Sequence, residues 1–136
     1  MLGGAESIRS QGTNMQNKWK ARSSHFRLPM TATFSTHTRE DGKAVAHALD
    51  FDIVAVSDTK DQAVEKLRLA VKTYIEFGLN NNWSGDIIFP APDEYWDRIP
   101  EDTPASFQPP IEIEDNRLFI VSAMVAHEHQ RTARTA

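Results

Sequence analysis

An α+β domain is predicted for this 136-residue chain, and three observations predict it. Short β-rich runs follow one another between residues 28 and 56, a capped amphipathic helix opens at Thr59, and β-rich flanks return after a proline-dense stretch. The architecture expected is a three-stranded antiparallel meander followed by one packed helix, with an extra C-terminal strand or hairpin. Composition supports a folded core, since 40% of residues are hydrophobic and 25% charged.

The first strand is read from Leu28 to Thr36, rich in Thr and Phe. Arg39-Glu40-Asp41-Gly42 has the polar, Gly-ended chemistry of a hairpin connection. Lys43 to Ala48 makes the second strand, with Val45 on one face and Ala44, Ala46 and Ala48 on the other. Phe51 to Val56 makes the third. It is apolar on both faces, which predicts the central position.

Thr59-Lys60-Asp61-Gln62 fits a capping box, with Asp58 and Asp61 placed where the helix dipole is positive. Ala63, Leu67, Ala70, Val71, Tyr74 and Phe77 then recur at three- and four-residue steps, while Lys66, Arg68 and Lys72 fall on a solvated side. Gly78 is the expected stop. Asp86 to Phe89 is expected as a short strand. Ile111-Glu112-Ile113 and Leu118 to Val125 are expected as a hairpin across residues 114–117, although Val121 to Val125 equally suits a helix running to His129.

Charge divides the chain. Residues 1–30 hold five basic side chains (Arg9, Lys18, Lys20, Arg22, Arg27) against Glu6, and residues 1–26 are expected to be a disordered basic tail. That start is loosely like an organelle transit peptide without regular amphipathy, and Met15 or Met30 is an alternative initiation site. Residues 27–126 form the single expected domain, and 127–136 a frayed tail. Within the domain, residues 84–115 carry six of the seven prolines and nine acids against one base, Arg98. Such proline density predicts turns and extended pieces rather than regular helix or central strand. Phe89, Tyr95, Trp96 and Phe107 are expected to pin this segment to the body.

Several function classes are excluded. No apolar run reaches the ~18 residues of a membrane helix, and no apolar stretch follows the basic start as in a secretory signal. Without cysteine there is no disulfide, thiolate metal site or cysteine nucleophile. The net charge of −4 opposes general phosphate-backbone binding. Nucleophile elbows, phosphate-cradling glycine loops and dinucleotide fingerprints are absent, and no cofactor is expected.

The stretch from Lys43 to Ala55, which includes His47 and Asp50, and the helix entry Asp58-Thr59 followed by Ala63, Leu67 and Val71 resemble the HicB-like antitoxin family over about residues 31–79. Ser57 stands where the family commonly has Gly, and Ala48 where Cys is frequent. The resemblance implies a partial, RNase H-like fold without a nuclease site, and a cytoplasmic, oligomeric protein that neutralises a small basic RNA-cleaving toxin of the HicA type. Residues 80–136 show neither paired amphipathic helices nor a basic recognition face, so direct DNA binding is not expected.

A toxin that cleaves RNA presents basic surface to phosphates, and an acidic partner covers it. Asp93, Glu94 and Asp97, with Tyr95 and Trp96 as aromatic anchors, are therefore the expected contact. One alternative is a solitary homo-oligomer of the same fold, pairing through exposed sheet edges. Another is a metal-dependent hydrolase using His47, Asp50 and Asp52. His127-Glu128-His129 offers two further imidazoles without an identifiable third ligand, and Lys18-Trp19-Lys20 with Arg22 has the pattern of a weak single-strand grip.

Overall fold

Strand β1 (Met30–Thr38) runs into a tight turn and returns as β2 (Ala44–Ala48), and β3 (Ile53–Ser57) turns back again, so these three are antiparallel neighbours in chain order. Helix α1 (Lys60–Asn80) follows, then a one-turn helix α2 (Asp93–Asp97), and the hairpin β4 (Ser106–Ile113) and β5 (Asn116–Met124). Strand β5 inserts parallel to β1, giving a five-stranded mixed sheet of order β3-β2-β1-β5-β4. The computed structural model describes residues 26–83 and 86–126. The expected tails, Lys18-Trp19-Lys20 and His127-Glu128-His129 thus lie outside the described residues, while Phe26 packs against the core.

The first turn forms as its chemistry dictates. Gly42 has φ +90°, the Asp41 carboxylate accepts the Lys43 amide, and the Arg39 guanidinium closes on Asp41, holding that carboxyl at about 2. Period-two alternation then sorts the strands. Ala32, Phe34, Ala44, Ala46, Ala48, Leu118 and Ile120 face α1, whose Ala63, Leu67, Val71 and Ile75 complete one buried layer. The α1 cap is as expected, with the Gln62 amide donating to the Thr59 hydroxyl at 3.2 Å.

Several expectations need correction. β3 is an edge strand, not the central one. Phe51 and Asp52 form the preceding turn, with Asp52 at φ +55°, and Val54 on the face away from α1 is 52% exposed. The centre belongs to β1, because β5 arrives from far along the chain to pair with it. The segment 86–89 is no strand, though the Phe89 amide bonds to the Asp50 carbonyl at 3.1 Å.

The proline-dense segment departs from expectation only at α2, a single helical turn that Pro92 precedes. Pro109-Pro110 sit inside β4, an edge rather than a central strand as expected, where the register shifts between Gln108 and Ile111. An edge strand tolerates missing N–H groups, and the carbonyls of Pro109 and Pro110 accept from Arg68 (2.6 and 3.5 Å). Lys66 and Lys72 lie on the solvated side as expected, and from there they likewise reach edge carbonyls of Val56 and Glu112. Phe89 and Phe107 do not pin the segment, being 65% and 77% exposed.

Gly78 does not stop the helix, which runs on to Asn80 before Asn81 and Trp83 close its last carbonyls. It permits close approach instead. A Cβ there would meet Ile87 Cγ1 at 2.9 Å and Cδ1 at 3.1 Å. Gly78→Ala would gain about 0.8–1.0 kcal/mol of helix propensity and lose about 1–3 kcal/mol to overpacking. A net loss of stability is therefore expected in urea unfolding, and a gain would show that Ile87 moves aside freely. The open choice at 121–125 resolves as strand to Met124.

Candidate functional site

The second face of the sheet carries Thr33, Ser35, His47, Val121 and Ala123, a floor of small and polar side chains that α1 does not touch. The segment 91–99 covers part of it. Ala91 donates its amide to Leu49 O at 2.8 Å, and Ala126 donates to Arg98 O at 2.9 Å, so the strap is tied at both ends. Between them Trp96 plunges inward to 0% exposure among Leu49, Ala91, Ile99, Val121 and Ala123. Its indole N–H donates to the Ala91 carbonyl at 2.9 Å, which satisfies the one polar group it buries.

While Trp96 turns to the sheet, Asp93, Glu94 and Asp97 of α2 are exposed, and Glu101 and Asp102 continue the exposed acidic surface. Of the expected contact residues, these three carboxylates are on the surface and Tyr95 is half-buried. Trp96 is the correction. It anchors the segment from beneath and has no surface to give a partner. Arg98 was not foreseen as part of this site. Its guanidinium lies 5.0 Å from the Tyr95 ring centroid, stacked over an aromatic face.

Beneath Tyr95 lies His47, whose ring meets it edge-on at 5.1 Å and is only 5% exposed. His47 Nε2–H donates to Asp52 Oδ1 at 2.7 Å, across the turn that Asp52's left-handed backbone creates. Asp50 goes elsewhere. It is 1% exposed, and Oδ1 accepts the Thr33 amide at 2.7 Å while the Thr33 carbonyl takes the Leu49 amide at 3.0 Å. The turn after β2 thus satisfies β1 where β2 departs.

Among the described residues no three His, Asp or Glu side chains converge on a point that could hold a metal ion. The triad proposed for metal-dependent hydrolysis is therefore not assembled: His47 and Asp52 pair, and Asp50 serves the backbone. The other resemblance residues are structural. Asp58 pairs with Lys43 at 2.6 Å, an ammonium contact that holds its carboxyl below the usual range, Thr59 caps α1, and Ala63 and Leu67 are core. No described helix is long and apolar enough to cross a membrane. No family model, curated protein or solved structure matches this chain, which leaves the geometry of the acidic strap to carry the functional reading.

Proposed function

We propose that this chain is a non-catalytic, HicB-like antitoxin-type protein of the cytoplasm that binds and occludes a small basic RNA-cleaving toxin. One observation carries the reading. The exposed carboxylates of Asp93, Glu94, Asp97, Glu101 and Asp102 sit on a segment held in place by the buried Trp96. A surface ordered in advance loses little entropy on binding, and its charge steers a cationic partner to it. The antiparallel run β1-β2-β3 followed by α1 is compatible with the family's partial RNase H-like fold.

The test is a binding assay against a purified HicA-type toxin made catalytically inactive. The variant Asp93→Lys/Glu94→Lys/Asp97→Lys should slow association about 10- to 1,000-fold at low salt, with thermal stability unchanged because all three side chains are exposed. Unaltered association in that variant would remove this face from the interface.

The second reading, a solitary homo-oligomer, is favoured by the asymmetry of the sheet's two edges. The β4 edge is blunted by Pro109-Pro110 and by cations on its carbonyls, whereas β3 exposes Val54 and has only Lys66 on Val56 O. An oligomer built edge to edge would therefore join through β3. Light scattering should then show Val54→Lys as a monomer, and an oligomer that persists in this variant excludes the β3 edge.

A further inference from the structure

Two exposed phenylalanines continue the sheet face that carries the strap. Phe107 is the cross-strand partner of Val121, and Phe119 stands two residues before Val121 on β5, so both share the side of Val121, Ala123 and the buried Trp96. Trp96 and Ile99 cover Val121 and Ala123 and leave Phe107 and Phe119 in solvent. Glu101 and Asp102 precede Phe107 by six and five residues, so the acidic surface leads along the chain into this aromatic pair. The base on this side of the hairpin, Arg117, is already paired with Glu112 at 3.3 Å. A matching occupant is therefore aromatic at its centre and cationic at its flanks.

A second copy presenting the same face would set carboxylates against carboxylates, which like-charge repulsion opposes. The chain itself supplies the opposite chemistry. Residues 1–25 hold four bases (Arg9, Lys18, Lys20, Arg22) against Glu6, and Lys18-Trp19-Lys20 sets an indole between two ammonium groups. The point of entry suits this role: Phe26, Leu28 and Met30 pack against the core, Met30 pairs with Leu118, and Thr31 pairs with Phe119. Trp19 lies twelve residues before Thr31, a span of up to about 40 Å, whereas β1 and β4 are two strand spacings, about 10 Å, apart. A short linker holds its two ends at an effective concentration in the millimolar range, so a contact with a dissociation constant of about 1 mM is formed about half of the time.

We propose that residues 18–22 dock in cis on this face, with the Trp19 indole on Phe107 and Phe119 and with Lys18, Lys20 and Arg22 against the neighbouring carboxylates. The indole adds apolar contact that a purely cationic segment lacks, and the bases select this face over exposed apolar side chains elsewhere, such as Leu69 of α1. The docked segment occupies the surface that a basic partner would need. It is a built-in competitor, and docking for half of the time lowers such a partner's apparent affinity about twofold. The docking itself does not depend on the toxin reading.

The chain has no cysteine, so a nitroxide can be attached at one introduced thiol, Gln16→Cys, in the isotope-labelled full chain. Paramagnetic broadening of the amides of residues 93–102, Phe107 and Phe119 is expected at low salt, stronger than at Leu69, and it should weaken as ionic strength rises. Trp19→Ser should weaken docking about tenfold, the loss expected for a central aromatic anchor, which lowers the docked fraction from about one half to about one tenth. Phe107→Ser/Phe119→Ser should reduce the broadening at residues 93–102 to a similar extent. Both phenylalanines are exposed, and circular dichroism of this double variant checks that the fold is kept. Broadening spread evenly over the surface, or surviving both variants unchanged, would overturn the docking. Broadening that persists when nitroxide and isotope are on different chains would give the face to a second copy's segment and overturn docking in cis.

Discussion

Trp96→Ala is expected to destabilise the domain by about 3–5 kcal/mol, the usual cost of truncating a large, fully enclosed aromatic side chain. The side chain is 0% exposed, and its indole N–H is bonded to Ala91 O, so the loss combines a cavity with an orphaned carbonyl. For a domain of about 100 residues this lowers the melting temperature by at least about 12 °C. The effect reaches the proposed function, because Trp96 alone of α2 is buried and holds the acidic surface to the sheet. Affinity for a basic partner should therefore fall although no charge has been altered. Trp96→Phe should recover part of both. A variant lacking Trp96 that melts with the unaltered protein would mean that the strap is held by its end ties alone.

Asp50→Ala is expected to rank next. A charged acceptor hydrogen bond contributes about 1.5–3 kcal/mol, and its removal leaves the Thr33 amide unpaired in the interior. Asp50 makes further interactions beyond Thr33, which raises the cost. Asp50→Asn keeps an acceptor oxygen of the same shape and should retain most of the stability. Urea unfolding of the two variants separates the explanations: equal losses would show that charge matters, and a loss confined to alanine would show that the acceptor does. Neither substitution touches the exposed carboxylates, so affinity for the proposed basic partner, measured on the folded fraction, should hold.

The local parts of this fold were readable in advance because they are written in neighbouring residues. The Thr59 cap, the helical stripe, the Gly42 turn and the β4–β5 hairpin each depend on chemistry within a few positions. What could not be read depends on distance along the chain. The pairing of β1 with β5 joins Met30 to Leu118, and it alone decides that β1 is central and β3 an edge. Gly78 was misread for a related reason, since the contact that demands a glycine there comes from Ile87, beyond the helix.

The candidate site divides in the same way. Its carboxylates stand out as an acidic composition interrupted by the single base Arg98, but burial of Trp96 depends on Val121 and Ala123 of β5. One signal did exist. Pro92 followed by Asp93 and Glu94 has the chemistry of a helix entry, and Trp96 is the large apolar side chain that a single turn there buries. His47, Asp50 and Asp52 looked like a triad because they are close in sequence, yet the turn at Asp52 sends the two carboxylates to different partners.

The parallel pairing of β1 with β5 also dictates an order of events during synthesis. A nascent chain that has emerged as far as Asn80 already owns β1, β2, β3 and α1, yet β1 then stands at a bare margin with its backbone groups facing water. The strand that fills this margin ends at Met124, 44 residues beyond Asn80. At about 5–20 residues per second the growing chain carries that open margin for seconds. Closing it joins positions far apart in the chain, the slow kind of step in folding. The ribosome must therefore release β5 before the sheet can be completed.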